Sequence, residues 1–192
     1  SSMIKIGITG GIGSGKSVIA TLLNLYGVPV YVADTESKIL TETSPVIRKK
    51  LIALFGNSIY TENGLNKKLL ASYIFNTPEY LQQVNAIIHP EVNRHFSEWT
   101  NAQTANVCAI ESAILFESGF NKAVDRSLMV YAPLELRIER AVSRDNVLKE
   151  EIVRRIENQL PDETKRDQSD YVIYNDDKQA LLPQIEKFLA SL

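Results

Sequence analysis

Eight consecutive residues near the start of the chain have the types and spacing that bind phosphate groups: Gly10-Gly11-Ile12-Gly13-Ser14-Gly15-Lys16-Ser17. They match the pattern G-x-x-x-x-G-K-[ST] between a predicted strand and a predicted helix. Glycines let the backbone approach an anion, and the amides at a helix N-terminus attract one. The alternative is a glycine-rich turn followed by a chance Lys-Ser, but the strand–loop–helix context favours a phosphate-binding loop.

The polar side chains of this loop have predictable tasks. Lys16 can reach the β- and γ-phosphates of a nucleoside triphosphate, and the Ser17 hydroxyl can bind Mg²⁺. The other nucleotide contacts expected here are Gly11, Gly13, Ser14, Gly15 and Val18. A GTPase would need Asn-Lys-x-Asp to read guanine, and neither Asn66-Lys67 nor Asn121-Lys122 is followed by Asp at that spacing. A small phosphotransferase is therefore the favoured class.

Asp34 stands at the end of a second apolar run, Val30-Tyr31-Val32-Ala33. In a parallel sheet, that strand end lies on the same edge as the phosphate loop. A carboxylate there can accept a proton from an attacking hydroxyl or hold Mg²⁺ through water. The alternative is an N-cap for a helix over residues 35–42, and the two roles are compatible.

Three arginines share one face of a predicted helix at i, i+3 and i+7: Arg137, Arg140 and Arg144. Like charges at such spacing repel, which a shared anion would relieve. A mobile arginine lid over the transferred phosphate is the functional interpretation. The alternative is local pairing with Glu135, Glu139 or Asp145 on the same helix, and spacing alone leaves both open.

Other residue types give weaker signals. Glu111 follows the apolar run 107–110, where either a Mg²⁺-directed acid or a structural carboxylate can stand. His89-Pro90 is interpreted as a helix break, because the residue before proline is biased away from helical geometry. Cys108 lies in a predicted buried strand and is expected to be an inert small hydrophobic residue.

The elements that position these residues alternate between strands and helices. Apolar runs predict five strands, at 4–9, 28–32, 107–110, 128–131 and 171–173. Helical spacing predicts helices at 16–26, 45–55, 67–75, 78–99 and 178–192, with a charged helical stretch at 133–160. We therefore expect an α/β fold of the P-loop NTPase type, with an open, mostly parallel five-stranded sheet and flanking helices. Residues 45–103, in a stretch without a strand signal, are predicted to form a helical insert, and residues 137–165 a lid.

Composition limits the possible partners. The chain has 192 residues, 44% hydrophobic and 23% charged, which is typical of one globular domain. The net charge of −2 argues against a bulk nucleic-acid binder, and no apolar run approaches the roughly 18 residues of a membrane helix. A single cysteine suits a reducing compartment. We expect a cytoplasmic monomer with neither a nucleic-acid nor a membrane partner, and interpret Ser1-Ser2 before Met3 as a cloning remnant.

From Ile4 to about Asn175, the sequence resembles the dephospho-coenzyme A kinase family. The stretch from Gly7 to Ser17 is similar to the opening signature of that family, and Ala33-Asp34 to the end of its Asp-Ala-Asp motif. Further matches are Phe55-Gly56, Gly64-Leu65-Asn66, Ile88-His89-Pro90, Leu115-Phe116-Glu117, Arg140-x-x-x-Arg144-Asp145, Gln159 and Asp170-x-Val-Ile-x-Asn175. Their order and spacing together are highly specific.

Four positions depart from the family pattern. Val32 replaces the first acid of Asp-Ala-Asp, and Val18 replaces the threonine that often follows the loop serine. Ala113 replaces the proline of Pro-Leu-Leu-Phe-Glu, and Lys67 replaces a usual arginine. These departures concern contacts with substrate and Mg²⁺ rather than the reaction; Glu111 offers a carboxylate that Val32 lacks.

The resemblance implies that ATP, with Mg²⁺ as cofactor, phosphorylates the ribose 3′-hydroxyl of dephospho-coenzyme A in the last step of coenzyme A synthesis. It implies Asp34 as catalytic base, with Lys16 and Arg140 as catalytic cations. Arg144 and Asn175 are further implied ATP contacts. The implied acceptor contacts are Asp34, Lys67, His89, Leu115 and Glu117. Two rivals remain: another small-metabolite or nucleoside kinase of the same architecture, and a nucleotide-dependent binding or switch module.

Overall fold

The computed structural model describes residues 3–192; Ser1 and Ser2, interpreted above as a cloning remnant, lie outside the described residues. The strands are β1 (Ile4–Thr9), β2 (Val30–Val32), β3 (Tyr60–Thr61), β4 (Gly64–Leu65), β5 (Val107–Glu111), β6 (Arg126–Tyr131) and β7 (Tyr171–Tyr174). The helices are α1 (Lys16–Leu25), α2 (Ala33–Thr43), α3 (Pro45–Phe55), α4 (Lys67–Asn76), α5 (Pro78–Asn101), α6 (Leu134–Asp145), α7 (Lys149–Glu157), α8 (Asp162–Gln168) and α9 (Leu181–Ala190).

Five of the strands form one open sheet in the order β2-β5-β1-β6-β7. β1 pairs in parallel with β5 and β6, and β6 pairs in parallel with β7. The central strand β1 is buried over its last four residues, as expected for a central strand of a parallel sheet that is covered on both faces. The predicted α/β fold with a mostly parallel five-stranded sheet is confirmed.

The main core lies between this sheet and its flanking helices. Ile6 and Ile8 of β1 belong to one buried cluster with Ile19 and Leu23 of α1 and with α9. Ile185 and Phe188 of α9 are almost completely buried, so the apolar face predicted for the last helix does dock on the core. Because β1 is anchored at the centre, the loop that follows Thr9 begins from a fixed point.

The described residues divide into two compact units, residues 3–31 with 103–192 and residues 32–102. The first unit contains β1, β5, β6 and β7 together with the first two residues of β2. The second unit contains α2 to α5. In the second unit β3 and β4 form an antiparallel hairpin, with Tyr60 opposite Leu65. The absence of a strand signal between residues 32 and 107 was therefore misleading, because strands of two residues are too short to show a period.

The predicted helix break at His89-Pro90 is wrong. α5 is a single helix of 24 residues with Pro90 inside it. An interior proline removes one backbone hydrogen bond and costs about 3 kcal/mol. Val84, Val92 and Phe96 are almost completely buried on both sides of Pro90, and this packing keeps the helix continuous.

The charged stretch 133–160 contains α6 and α7, and α8 follows at Asp162. Asn146 ends α6 in the left-handed conformation with φ 51°, which asparagine tolerates better than most residues. Ile138, Ala141 and Ile152 form a small buried cluster that also contacts Ile12 of the phosphate loop. Residues 137–165 are called the lid segment below. Within residues 3–192, no helix combines the length and apolar character that a membrane crossing requires.

Candidate active site

The phosphate loop lies between Thr9, the last residue of β1, and Lys16, the first residue of α1. Gly13 and Gly15 have φ angles of 79° and 86°, which residues other than glycine rarely adopt. The Ser14 amide donates to the Gly11 carbonyl at 3.0 Å, which closes the turn. α1 has neither a side-chain cap nor an acid in its first turn. The positive end of its dipole is therefore available to an anion.

Side chains from other elements hold three consecutive carbonyl oxygens of the loop. Arg137 Nη1 lies 3.4 Å from the Ile12 oxygen, and Arg140 Nη1 lies 3.4 Å from the Gly13 oxygen. Asn175 Nδ2 donates to the Ser14 oxygen at 2.9 Å. Because a trans peptide directs its N–H opposite to its C=O, these contacts orient the Gly13 and Gly15 amides away from the three side chains. The loop thus has its amides arranged for an anion before any ligand binds.

The first turn of α1 carries the predicted phosphate and metal contacts. Lys16 is half-buried, whereas Ser17 and Val18 are exposed, with Val18 50% exposed. The described residues contain no group of three or more His, Cys, Asp or Glu that could hold a metal ion. An accessible serine hydroxyl beside Lys16 still suits Mg²⁺, which prefers oxygen and takes most of its ligands from phosphates and water.

The three arginines on α6 have different partners. Arg144 donates to Asp145 at 2.8 Å, so local pairing, one of the two alternatives left open above, holds for this residue. Arg140 donates through Nη2 to the Asn175 carbonyl at 2.8 Å and to Asp177 Oδ1 at 3.0 Å. Arg140 therefore joins the phosphate loop to the turn after β7, and its side chain remains 24% exposed.

Arg137 instead joins a buried group of charges. Its Nε lies 3.4 Å from Asp162 Oδ2, and both side chains are 6% exposed. Lys165 is completely buried, donates to the Ala113 carbonyl at 2.8 Å and lies 3.6 Å from Glu117 Oε2. Burial raises the pKa of Asp162 and lowers the pKa of Lys165, against the opposing effect of the neighbouring charges. Sequence patterns gave no warning of Asp162 or Lys165, because their partners are distant along the chain.

Asp34 lies in the first turn of α2. The residue at the N-cap is Val32, so the predicted N-cap role of Asp34 is wrong. As an acid in the first turn, Asp34 favours the helix through the dipole instead. Its side chain is 81% exposed, and its Oδ2 lies 3.2 Å from Lys38 Nζ. An ion pair this exposed contributes little to stability. Because the Asp34 side chain is so exposed, its carboxylate is accessible to a substrate.

The second unit contains a largely apolar groove of about 700 Å³. Apolar side chains of Ile39, Leu65, Leu70 and Ile88 line it, and its charged lining residues are Lys38, Lys67 and Glu42. Lys67, a predicted acceptor contact, is thus part of a groove. His89 follows Ile88 and is half-buried; burial lowers its pKa.

Comparison with known proteins identifies the family. Residues 4–180 match the family described as Dephospho-CoA kinase. The chain is 52% identical over 190 residues to the dephospho-CoA kinase of Bacteroides fragilis, covering 98% of this chain and 93% of the relative. It is 41% identical over 191 residues to that of Porphyromonas gingivalis, covering 99% and 95%. The chain belongs to the dephospho-CoA kinase family. The crystal structure of TT1252 from Thermus thermophilus superposes with a TM-score of 0.84 at 34% identity, covering 100% and 96% of the two chains.

The resemblance inferred from the motifs is confirmed, and the departures from the family pattern can now be placed. Val32 ends β2, and Ala113 follows β5, where its carbonyl accepts from Lys165. Glu111 is the last residue of β5, is 6% exposed and lies opposite Ile8 of β1 in the register.

Leu115 and Glu117, two predicted acceptor contacts, lie in the loop after β5. Leu115 is completely buried and fills the space above Gly7, where a Cβ would come within 2.8 Å of its methyl group. Glu117 accepts from the Leu160 amide at 3.3 Å. The two residues thus connect this loop to β1 and to the lid segment.

Cys108 is buried in β5, as predicted, and burial raises the pKa of its thiol. A raised thiol pKa lowers the thiolate fraction and hence the reactivity. Cys108 therefore serves packing.

Proposed function

We propose that this member of the dephospho-CoA kinase family transfers the γ-phosphoryl group of ATP to the ribose 3′-hydroxyl of dephospho-coenzyme A, giving ADP and coenzyme A. This is the last step of coenzyme A biosynthesis. The family match over residues 4–180 carries the proposal, and a phosphate loop already arranged for an anion supports it.

The phosphates of ATP lie on the loop in this proposal. The β- and γ-phosphates are contacted by the backbone amides of the loop, at Gly13, Ser14 and Gly15, and by the N-terminus of α1. Gly11 and Val18 are further proposed ATP contacts on either side of these residues. Lys16 neutralises charge on the γ-phosphate, and Ser17 would hold Mg²⁺. When bound, Mg²⁺ would neutralise charge on the β- and γ-phosphate oxygens. Phosphoryl transfer depends mainly on such electrostatics and on positioning, which these groups supply.

Arg140 and Arg144 complete the cationic side of the nucleotide site. Arg140 matches the lid arginine of the family; in this proposal its guanidinium leaves the Gly13 carbonyl oxygen when the nucleotide binds and neutralises charge on the transferring phosphoryl group. In this proposal Arg144 adds positive charge on the same helix, and Asn175, whose amide donates to the Ser14 carbonyl of the loop, is an ATP contact near the adenine end of the site. Closure of the lid segment over ATP would exclude water from the reaction.

Asp34 accepts or orients the proton of the attacking 3′-hydroxyl in this proposal. The support is its exposed carboxylate just after β2 and its match to the family acid. Insert residues 45–103 hold the acceptor, with contacts from Lys67 and His89. Glu117 is a further proposed acceptor contact, and Leu115, which is completely buried, contributes by fixing the loop that carries Glu117.

An acceptor panel tests the proposal. ADP release is measured with Mg-ATP and dephospho-coenzyme A, nucleosides, nucleoside monophosphates or shikimate, and the product is identified by mass spectrometry. We expect dephospho-coenzyme A to give the highest kcat/KM. A higher value for another acceptor would indicate a different small-molecule kinase, and ATP binding with slow turnover on every acceptor would indicate a switch module. Light scattering tests the monomer that we also propose, and subcellular fractionation tests its cytoplasmic location.

A further inference from the structure

A buried ion pair lies directly against the phosphate loop. Arg137 of α6 and Asp162 of α8 have side chains that are each 6% exposed, with Nε and Oδ2 3.4 Å apart. Arg137 Nη1 also lies 3.4 Å from the Ile12 carbonyl oxygen. The pair therefore connects two helices of the lid segment to the backbone of the loop.

Two loop glycines show how close this contact is. A Cβ at Gly11 would overlap Arg137 Nη1 and come within 2.6 Å of Asp162 Oδ1. A Cβ at Gly13 would overlap the main-chain carbonyl of Arg137. The loop backbone thus rests on the ion pair and on α6, and even a methyl group at either position would push them apart.

The pair is poorly arranged as a stabilising interaction. Arg137 Nε and Asp162 Oδ2 are both buried, and neither has a hydrogen-bond partner among the residues that the structure describes. Buried ion pairs can often be replaced by apolar side chains of similar volume without loss of stability. What an apolar pair could not reproduce here is the contact between the guanidinium and the loop carbonyl.

We propose that Arg137, held by Asp162, is a positioning residue that fixes the backbone of the phosphate loop and thereby sets the affinity for the phosphates of the nucleotide. Arg137 is buried and directs Nη1 at a carbonyl oxygen, so it acts through the loop rather than by touching the transferred phosphoryl group. The inference rests on the proposed function because it concerns the same nucleotide site, but its effect on nucleotide binding is measured without an acceptor.

The decisive variant removes both charges and keeps the volume: Arg137→Met combined with Asp162→Leu. Because neither charge is left buried alone, we expect a melting temperature near that of the parent protein. We expect the Kd for Mg-ATP, measured by calorimetry without acceptor, to rise roughly tenfold or more, because small misplacements of catalytic groups cost up to about 10²-fold. The KM for the acceptor should not change.

The matched control removes an exposed ion pair between α6 and α7, with Glu135→Gln and Lys149→Gln. These side chains are 82% and 59% exposed, and their charged atoms lie 4.0 Å apart. We expect the control to keep the parental Kd for Mg-ATP. A parental Kd in the Arg137→Met/Asp162→Leu protein would overturn the proposal, because a purely structural pair predicts that result.

A conservative variant keeps the proposal testable if the double variant folds poorly. Arg137→Lys retains the charge but loses the planar fork that faces both Asp162 and the loop. We expect a raised Kd for Mg-ATP with an unchanged acceptor KM, and a parental Kd here would again overturn the proposal. If the parent protein binds Mg-ATP but does not phosphorylate dephospho-coenzyme A, the proposed function fails while this inference stands.

Discussion

Replacing Gly13 by alanine should disrupt the nucleotide site, whereas the same change at Gly27 should not. The two glycines have similar φ angles, 79° and 86°. They differ in their surroundings: a Cβ at Gly13 would overlap the main-chain carbonyl of Arg137, and a Cβ at Gly27 would meet nothing within 4 Å. The pair of variants therefore separates backbone strain from displacement of the loop.

The magnitudes follow from these two contributions. A left-handed alanine costs roughly 1–2 kcal/mol in either position. For a protein of this size, that lowers the melting temperature by roughly 2–8 °C. At Gly13 the loop and α6 must also separate by about 1 Å to relieve the overlap, and a misplacement of that size can lower catalysis about 10²-fold. We expect kcat/KM to fall about 100-fold for Gly13→Ala and to stay within about twofold of the parent for Gly27→Ala.

Steady-state kinetics with Mg-ATP as the varied substrate, together with thermal unfolding of both variants, measures the two contributions. Gly27→Ala should lose stability alone, and Gly13→Ala should lose both stability and kcat/KM. Equal losses of kcat/KM in the two variants would refute the reasoning, since strain alone would then explain the effect. Parental activity in Gly13→Ala would show that the loop does not depend on its contact with α6.

Three further predictions concern individual side chains and the lid segment. Lys16→Ala and Arg140→Ala should lower kcat at least as much as Asp34→Asn, because a general base contributes about 10²–10⁴-fold while electrostatics dominate phosphoryl transfer; near-parental turnover of Asp34→Asn would remove the base assignment. Adding Mg-ATP should slow hydrogen exchange in the lid segment, and unchanged exchange would count against closure. Hydrogen bonds, foremost from the Gln179 backbone amide, lower the pKa of Asp176 from 3.8 to about 2. The folded state thus prefers the ionised form of Asp176. Asp176→Asn should therefore lower the free energy of unfolding, measured by urea denaturation, by its full amount above pH 3.8, and this loss should disappear as the pH falls through about 2. A loss that is independent of pH would contradict this cause.

Short-range patterns explain why the sheet and the phosphate loop were predictable. The apolar run at 128–131 predicted a strand, and the structure confirms it as β6, which begins two residues earlier, at Arg126. The loop motif is contiguous, so its residues are neighbours in any fold. Family resemblance added the acceptor and the reaction, which no local pattern contains, and the family match confirms the family membership from which both were inferred.

The failures come from interactions that sequence periodicity does not express. Pro90 is tolerated inside α5 because buried residues on both sides hold the helix together. Arg137 finds Asp162 rather than an acid on its own helix, because the tertiary structure brings the first residue of α8 within 3.4 Å of its guanidinium. Lys165 looks like an ordinary exposed lysine in the sequence, yet it is completely buried. Each of these outcomes depends on tertiary packing.

Product formation from dephospho-coenzyme A tests the central claim most directly. The purified protein is incubated with Mg-ATP and dephospho-coenzyme A, ADP is quantified, and the position of the new phosphate is determined by ³¹P NMR. We predict one equivalent of coenzyme A, carrying the phosphate on the ribose 3′-oxygen, for each ADP released, and a large loss of product with Lys16→Ala. A folded protein that binds Mg-ATP and yet forms no coenzyme A would contradict the account.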